Sequence, residues 1–388
     1  MQLILGCDPL LMPLTGIGHY TKQLGNALNK HDELATLKLF AHGTFFSEKL
    51  LSRNVGDVDE TGTVAKPGLL SILRSKLSKS QWVVKIYQWV SPVIMGRRLK
   101  PYSDHIYHSP NFTLPPFKGK KVVTIHDLST LRFPEFHPPA RVDFLNQALS
   151  KVVEQADHII TDSEFVKAEI VRLMGANPAK ISAIPLGADA AFTPRSEAQC
   201  QTVLSQHQLQ YQQFFLFVST LEPRKNLSNL LGAFAEYRQA NPQGIPLVLV
   251  GHEGWHSIDI HQQVMSLEAK GWVKYLGYAP QSEVLTLYSG ARALLFPSIY
   301  EGFGLPVLEA MQSGIPVMTC KDSAMSEITL NHAALTDKDN TAQMTQLIAR
   351  LAEDDEWVAQ LSSEGLVRAK DFSWDKCVEQ TLAVYRKL

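Results

Sequence analysis

The sequence predicts an α/β protein of two Rossmann-like domains whose parallel sheets face an interdomain cleft. Three observations carry this. Short apolar runs alternate with helix-like stretches, the pattern of parallel sheet built from β-α-β units. The alternation loosens near residues 190–205 and then restarts. Each half opens alike, with an apolar strand, a polar or Gly-containing loop, and a helix. A length of 388 residues suits two domains, at roughly 100–200 residues each.

In the first half, Leu3 to Cys7, Val122 to Ile125, His158 to Thr161 and Ile181 to Pro185 read as strands. Val142 to Gln155 and Glu164 to Met174 read as helices between them, and a helix is expected from about His19. Pro194 and a polar stretch over Ala190 to Ser205 mark a linker. Phe214 to Val218, Leu247 to Val250, Ala293 to Phe296 and Val317 to Thr319 are the strands of the second half, with Asn229 to Gln239 a helix. The expected domains are residues 1–195 and 196–374, with a last helix, 375–388, crossing back to the first.

Composition narrows the function classes. A hydrophobic fraction of 45% and a charged fraction of 19% fit a globular enzyme with sizeable cores. A net charge of -1 gives no global pull toward nucleic acid, so no such partner is expected. Cys7, Cys200, Cys320 and Cys377 show neither metal nor disulfide spacing, which fits a reduced, cytoplasmic protein. Met1 to Leu14 is apolar but lacks a basic start and carries Asp8, so it reads as a buried first strand rather than a signal peptide. No run of about 18 uncharged apolar residues is long enough to span a membrane.

Four constellations carry chemistry. Glu301 to Glu309 follows a strand. Its glycines allow close backbone approach, and Pro306 suits the first turn of a helix. Free amides at a helix start favour anions, and two carboxylates can accept from hydroxyls, which together suit a sugar nucleotide. A tight strand-to-helix turn with Glu309 on a solvated face fits the spacing equally well. Arg224 and Lys225, in Glu222-Pro223-Arg224-Lys225-Asn226, can clamp a diphosphate as fork and point charge. The same residues also read as a solvated basic turn before a helix capped by Asn226. Gly16-Ile17-Gly18 precedes a helix, but Thr21 replaces the third glycine of a dinucleotide fingerprint, which argues against NAD. His126, in Thr124-Ile125-His126-Asp127, ends a strand, where a lone His is more often structural.

The stretch Glu301 to Ala310, followed by Gly314-Ile315-Pro316-Val317, resembles the E-x7-E motif of the retaining family 4 glycosyltransferases. The similarity runs over nearly the whole chain and is strongest from Phe214 to Glu327. It implies the GT-B fold. By this resemblance Glu309 binds the donor ribose, while Glu301 and the amides of Phe303, Gly304 and Leu305 hold the transferred sugar and phosphate. Arg224 and Lys225 match the family's pyrophosphate-binding pair in the same E-P-R-K-N context. The Gly16–Gly18 loop matches one that approaches donor phosphate or acceptor. His126 matches a His lying over the reacting sugar, and is expected to contact it and organise the transition state; Asp127 orients the loop. The implied catalytic set is His126, Glu301, Arg224 and Lys225. No cofactor beyond the donor is expected, and no Asp-x-Asp metal site.

The implied reaction is retaining glycosyl transfer, with the departing phosphate helping to deprotonate the acceptor. Gly251-His252-Glu253-Gly254-Trp255 looks most like bacterial mannosyl- and rhamnosyltransferases of polysaccharide assembly. That favours GDP-mannose as donor, then GDP-rhamnose and UDP-sugars, with the base near Val273 to Ala279. The implied acceptor is a lipid-linked oligosaccharide of O-antigen type. Residues 61–103 hold eight basic residues, no acidic one, and Trp82, Tyr87 and Trp89. Such a segment fits peripheral contact with the inner face of an anionic cytoplasmic membrane, and equally a solvated face with buried aromatics. The sequence departs from the family at Asn331-His332-Ala333-Ala334 and at Val250 to Gly254. A nucleotide-sugar epimerase, an NAD-dependent dehydrogenase and a non-catalytic sugar-nucleotide-binding protein are the rival readings.

Overall fold

Continuous apolar runs covered on both faces are the mark of parallel sheet. In a computed structural model, which describes residues 1–11, 16–52, 91–254 and 258–388, such runs build two sheets. The first contains β1 (Gln2–Gly6), β2 (Thr36–Ala41), β3 (Thr44–Phe46), β4 (Ile106–Ser109), β5 (Lys120–Ile125), β6 (His158–Thr161) and β7 (Ile181–Ala183), in the order β3-β2-β1-β4-β5-β6-β7. The second contains β8 (Phe215–Val218), β9 (Leu247–Val250), β10 (Val273–Tyr275), β11 (Ala293–Phe296), β12 (Val317–Cys320) and β13 (Ala334–Thr336), in the order β10-β9-β8-β11-β12-β13. Leu3, Ile4, Leu216, Val248, Leu294 and Val317 are wholly buried. The two Rossmann-like sheets expected from the sequence are therefore present.

Several expected boundaries need correction. β3 is antiparallel to β2, an exception to the parallel pattern. His42 and Gly43 both take positive φ, 50° and 80°, as a tight hairpin turn requires. The first helix spans Gly16–Asn29 rather than starting near His19, so Gly16 and Gly18 form its first turn. The linker is shorter than 190–205. Glu197–Gln206 is a helix, started by Gln199 Oε1 accepting the Ser196 amide at 2.9 Å and held by buried Cys200 and Leu204. Asn226 stands before the helix Leu227–Ala240 but does not cap it through its side chain; its Nδ2 donates to the Lys338 carbonyl at 2.7 Å. All four cysteines are free and buried.

The helix Trp374–Tyr385 starts where Ser373 Oγ accepts the Lys376 amide at 3.2 Å. It lies against the first domain. Tyr385 hydroxyl meets His108 Nδ1 at 2.5 Å, His31 Nε2 meets Glu379 at 3.0 Å, and Arg386 Nε donates to Glu33 at 2.9 Å. Cys377 and Leu382 of this helix join an apolar cluster that also holds Leu3 and Leu5 of β1 and Leu216 of β8. If this apolar face anchors the helix, Leu382→Ala destabilises the protein by about 2–5 kcal/mol. Arg386→Ala, at a solvent-screened ion pair, costs far less than that. Urea unfolding of both variants checks this; equal losses would count against apolar anchoring.

Candidate active site

In open parallel sheets, ligands bind beyond the carboxyl ends of the strands. β8 and β11 are neighbours, with Leu216 beside Leu294. The loops that follow them therefore emerge side by side, although they are far apart in sequence. Arg224 lies in the 3-10 turn Pro223–Lys225 after β8. Its Nη1 donates to Glu301 Oε2 at 3.0 Å and to the Tyr300 carbonyl at 2.7 Å, and its Nη2 donates to Glu222 Oε1 at 2.7 Å. Lys225 Nζ donates to Glu301 Oε1 at 2.6 Å, and Ser298 Oγ donates to the same oxygen at 2.7 Å. Burial alone would raise the Glu301 carboxyl. The charges of Arg224 and Lys225, with the Lys225 and Ser298 hydrogen bonds, outweigh it and hold the group down at about 2. The result is a largely buried cluster of two cations and two carboxylates, Glu222 and Glu301.

Glu309 sits in the opposite environment. It lies on the helix Leu305–Gln312, where Tyr288 hydroxyl donates to its Oε2 at 3.0 Å. Burial, with a smaller push from Asp189, raises its carboxyl to about 7 against that hydrogen bond. At the start of this helix, the amides of Phe303, Gly304 and Leu305 donate to no protein acceptor among the described residues. Gly304 has φ +113°, a backbone region that favours glycine. Gly302 is needed for a different reason than ligand approach. A Cβ there would lie 1.8 Å from the His126 carbonyl oxygen of the first domain.

His126 follows β5 and Asp162 follows β6. These strands run in register, Ile125 beside Thr161, so the two side chains meet. Nδ1 of His126 lies 2.7 Å from Asp162 Oδ2, and Nε2 lies 3.0 Å from the Pro110 carbonyl. Burial works against the imidazolium, but Asp162 and the Pro110 carbonyl reverse the effect and raise its pKa. Two acceptors on two ring nitrogens suit a ring that donates from both. Asp127 accepts the Ser129 amide at 2.8 Å. Gly18 is buried in the first turn of its helix and Gly16 is exposed.

The structure thus brings Arg224, Lys225 and Glu301 into direct contact. It places Leu305 and Glu309 on the adjoining helix with Phe303 and Gly304 just before it, and the His126 backbone against Gly302. Glu222, Ser298, Tyr288 and Asp162 complete these groups without having been singled out for these contacts from the sequence. Glu222 and Ser298 stand close to the motif residues in sequence. Asp162 carries only the weaker signal of a polar residue ending a strand. At the end of β9 and β10, the exposed ring of Tyr278 stacks on His252, with centroids 4.7 Å apart. Trp255 lies outside the described residues. Asp-x-Asp strings do occur in the chain. Asp337-Lys338-Asp339 is exposed and pairs with Lys321 and Lys338, and 57–59 lies outside the described residues. Among the described residues no three or more His, Cys, Asp or Glu gather as a metal site would require.

Of the basic segment, 61–90 lies outside the described residues. Its continuation, helical over 91–99, exposes Val93 and Ile94 beside Arg97 and Arg98. No helix among the described residues is long and apolar enough to cross a membrane.

Residues 205–366 match the family model "Glycosyl transferases group 1" and residues 95–192 match "Glycosyltransferase Family 4". The chain is 34% identical to O-antigen chain mannosyltransferase B of Escherichia coli, over 100% of both chains. It is 26% identical to O-antigen chain mannosyltransferase RfbU of Salmonella typhimurium, over 72% of each. Among solved structures it is similar to WaaG, a glycosyltransferase involved in lipopolysaccharide biosynthesis, with TM-score 0.70, 13% identity and 98% of each chain covered. It is also similar to Anabaena HepE in complex with UDP and glucose, with TM-score 0.69, 18% identity, and 100% and 99% covered. The chain belongs to the family 4 glycosyltransferases and has their GT-B fold.

Proposed function

We propose that the chain transfers mannose from GDP-mannose, with retention of configuration, to a lipid-linked polysaccharide acceptor of O-antigen type. The observation that carries the reading is the Arg224–Lys225–Glu301 cluster beside the free amides that open the helix Leu305–Gln312. The names of the two O-antigen mannosyltransferases it resembles support the choice of sugar and acceptor.

In this reading the donor diphosphate lies across Arg224, Lys225 and the amides of Phe303 to Leu305, and Glu309 accepts from the ribose hydroxyls. The bond from the sugar C1 to the diphosphate oxygen breaks. The acceptor oxygen bonds to C1 on the same face, and its proton passes to a diphosphate oxygen. Arg224 and Lys225 stabilise the charge that grows on the departing diphosphate. The Nε2–H of His126 exchanges the Pro110 carbonyl for a sugar hydroxyl, with Asp162 holding the ring. The first turn at Gly16 and Gly18 faces the phosphate or acceptor. The base lies near Tyr278. No metal takes part.

A thermal-shift panel tests the donor class. A ligand that binds only the folded state stabilises it by RT ln(1 + [L]/Kd). GDP stabilises the protein more than UDP, and NAD has no effect; stabilisation by NAD alone would overturn the reading. Arg224→Gln and Lys225→Met each lower the transfer rate by about 100- to 1,000-fold, and EDTA leaves it unchanged, as read by product formation from GDP-mannose.

Glu309 makes donor binding depend on pH. Its carboxyl titrates at about 7 in the free protein against an ordinary 4.5, and only the ionised form accepts from two ribose hydroxyls. Binding therefore releases a proton and strengthens as pH rises, by up to about tenfold per unit below pH 7. Calorimetry with GDP at pH 6, 7 and 8 reads this as the slope lost in Glu309→Gln, since the ligand's own titration is common to both proteins. Equal slopes would rule out the linkage.

The exposed Val93 and Ile94 beside Arg97 and Arg98 form an apolar and basic surface suited to the inner face of the cytoplasmic membrane. The protein is expected to sediment with vesicles rich in anionic lipid at low salt and to be released at high salt. The double variant Arg97→Glu with Arg98→Glu weakens this sedimentation. No sedimentation at low salt would remove the membrane from the reading.

A further inference from the structure

The residue before Glu301 joins the two domains. Tyr300 is 2% exposed. Its hydroxyl donates to Glu169 Oε2 at 2.6 Å and accepts from the Leu128 amide at 3.0 Å, and both partners belong to the first domain. Its backbone carbonyl accepts from Arg224 Nη1 at 2.7 Å, inside the donor cluster of the second domain. The ring packs near Phe133 and Phe165, with centroids 5.5 and 6.1 Å away. One residue thus touches the first domain with its side chain and the cation cluster with its main chain.

The surroundings favour a switchable contact over simple filling. The Glu169 side chain is 5% exposed, with Arg132 Nε at 3.1 Å from its other oxygen. A buried carboxylate needs such partners, and one of them crosses the cleft. The same first-domain helix, Glu164–Met174, meets the second domain at its start as well. Ser163 Oγ donates to the Gly302 carbonyl at 2.7 Å, and Glu327 accepts the Glu164 and Phe165 amides at 3.0 and 2.9 Å. These bonds exist together only when the cleft is shut.

We infer that Tyr300 is a positioning residue: its hydroxyl, held by Glu169 and Leu128, fixes the Tyr300–Glu301 backbone against Arg224 when the domains close. Arg224, Lys225 and the amides of Phe303 to Leu305 all stay within the second domain. Removing the hydroxyl therefore separates closure from nucleotide binding.

The inference rests on glycosyl transfer but not on the identity of the sugar. Tyr300→Phe keeps the ring and removes only the hydroxyl. In this variant kcat falls about 10- to 100-fold, while the Kd for GDP or UDP, measured by calorimetry, stays within about twofold. Glu169→Gln keeps an acceptor for the phenol and retains most of the rate; Glu169→Leu reproduces the loss. Small-angle scattering needs no donor sugar: with or without GDP or UDP, the wild type is more compact than Tyr300→Phe, because nucleotide held by one domain does not itself shift closure. A variant with kcat within about twofold of wild type, or with compaction equal to it, would overturn the role. So would a loss of rate matched by an equal loss of nucleotide affinity, which marks a structural defect of the donor site.

Discussion

Everything at this site depends on keeping two cations charged in a largely buried place. Arg224 and Lys225 expose only 15% and 11% of their side chains; Glu301 and Glu222 lie against both and hold the Arg224 guanidinium up, while burial and the neighbouring Arg224 still leave the Lys225 amine below its ordinary range. The fold makes this cheap to arrange. Neighbouring parallel strands are about 4.8 Å apart, so loops that leave β8 and β11 at the same edge interleave without long side chains having to reach. Ser298 adds a donor to Glu301, and the Tyr300 carbonyl adds an acceptor for Arg224. A cluster satisfied in this way is rigid before any donor arrives, which is the preorganisation that electrostatic catalysis needs.

That rigidity in turn restricts what can stand above it. The His126 carbonyl approaches Gly302 so closely that any side chain there would separate the domains. The glycine that looked from the sequence like room for a phosphate is room for the other domain. Contacts from Ser163, Glu169 and Leu128 then gather around the same few residues. Several interdomain hydrogen bonds therefore lie beside the cation cluster, where exclusion of water strengthens each charge interaction.

What could be read from the sequence follows the range of the interaction. Leu247–Val250 and Ala293–Phe296 announce themselves because each is a buried apolar run bounded by polar turns. Ile106–Ser109 does not, since Tyr107, His108 and Ser109 are buried polar or mixed residues whose partners lie elsewhere, Tyr385 among them. The helix Glu197–Gln206 hides behind a mostly polar sequence and depends on Cys200 and Leu204. Arg224, Lys225 and Glu301 were legible as motif residues, but their ion pairing spans 76 or 77 residues and is set by strand order. Asp162 beside His126 and Glu169 beside Tyr300 likewise depend on register and on closure, and local sequence encodes neither.

The two glutamates of one short motif show how far environment can separate like groups. Glu301 is held at about 2 by its cations, whereas Glu309 is raised to about 7 by burial beside a phenol. The difference matters for an anionic ligand. Glu222 and Glu301 already balance Arg224 and Lys225, so a fully ionised Glu309 would make the site net negative before a diphosphate arrived. A Glu309 that shares its time with a proton avoids much of that repulsion. In the proposed reading the ribose hydroxyls add donors to the one that Tyr288 supplies, the only side-chain partner of Glu309 among the described residues. On that reading charge is admitted at Glu309 only alongside the hydroxyls that need it, and the cation cluster is left to meet the diphosphate.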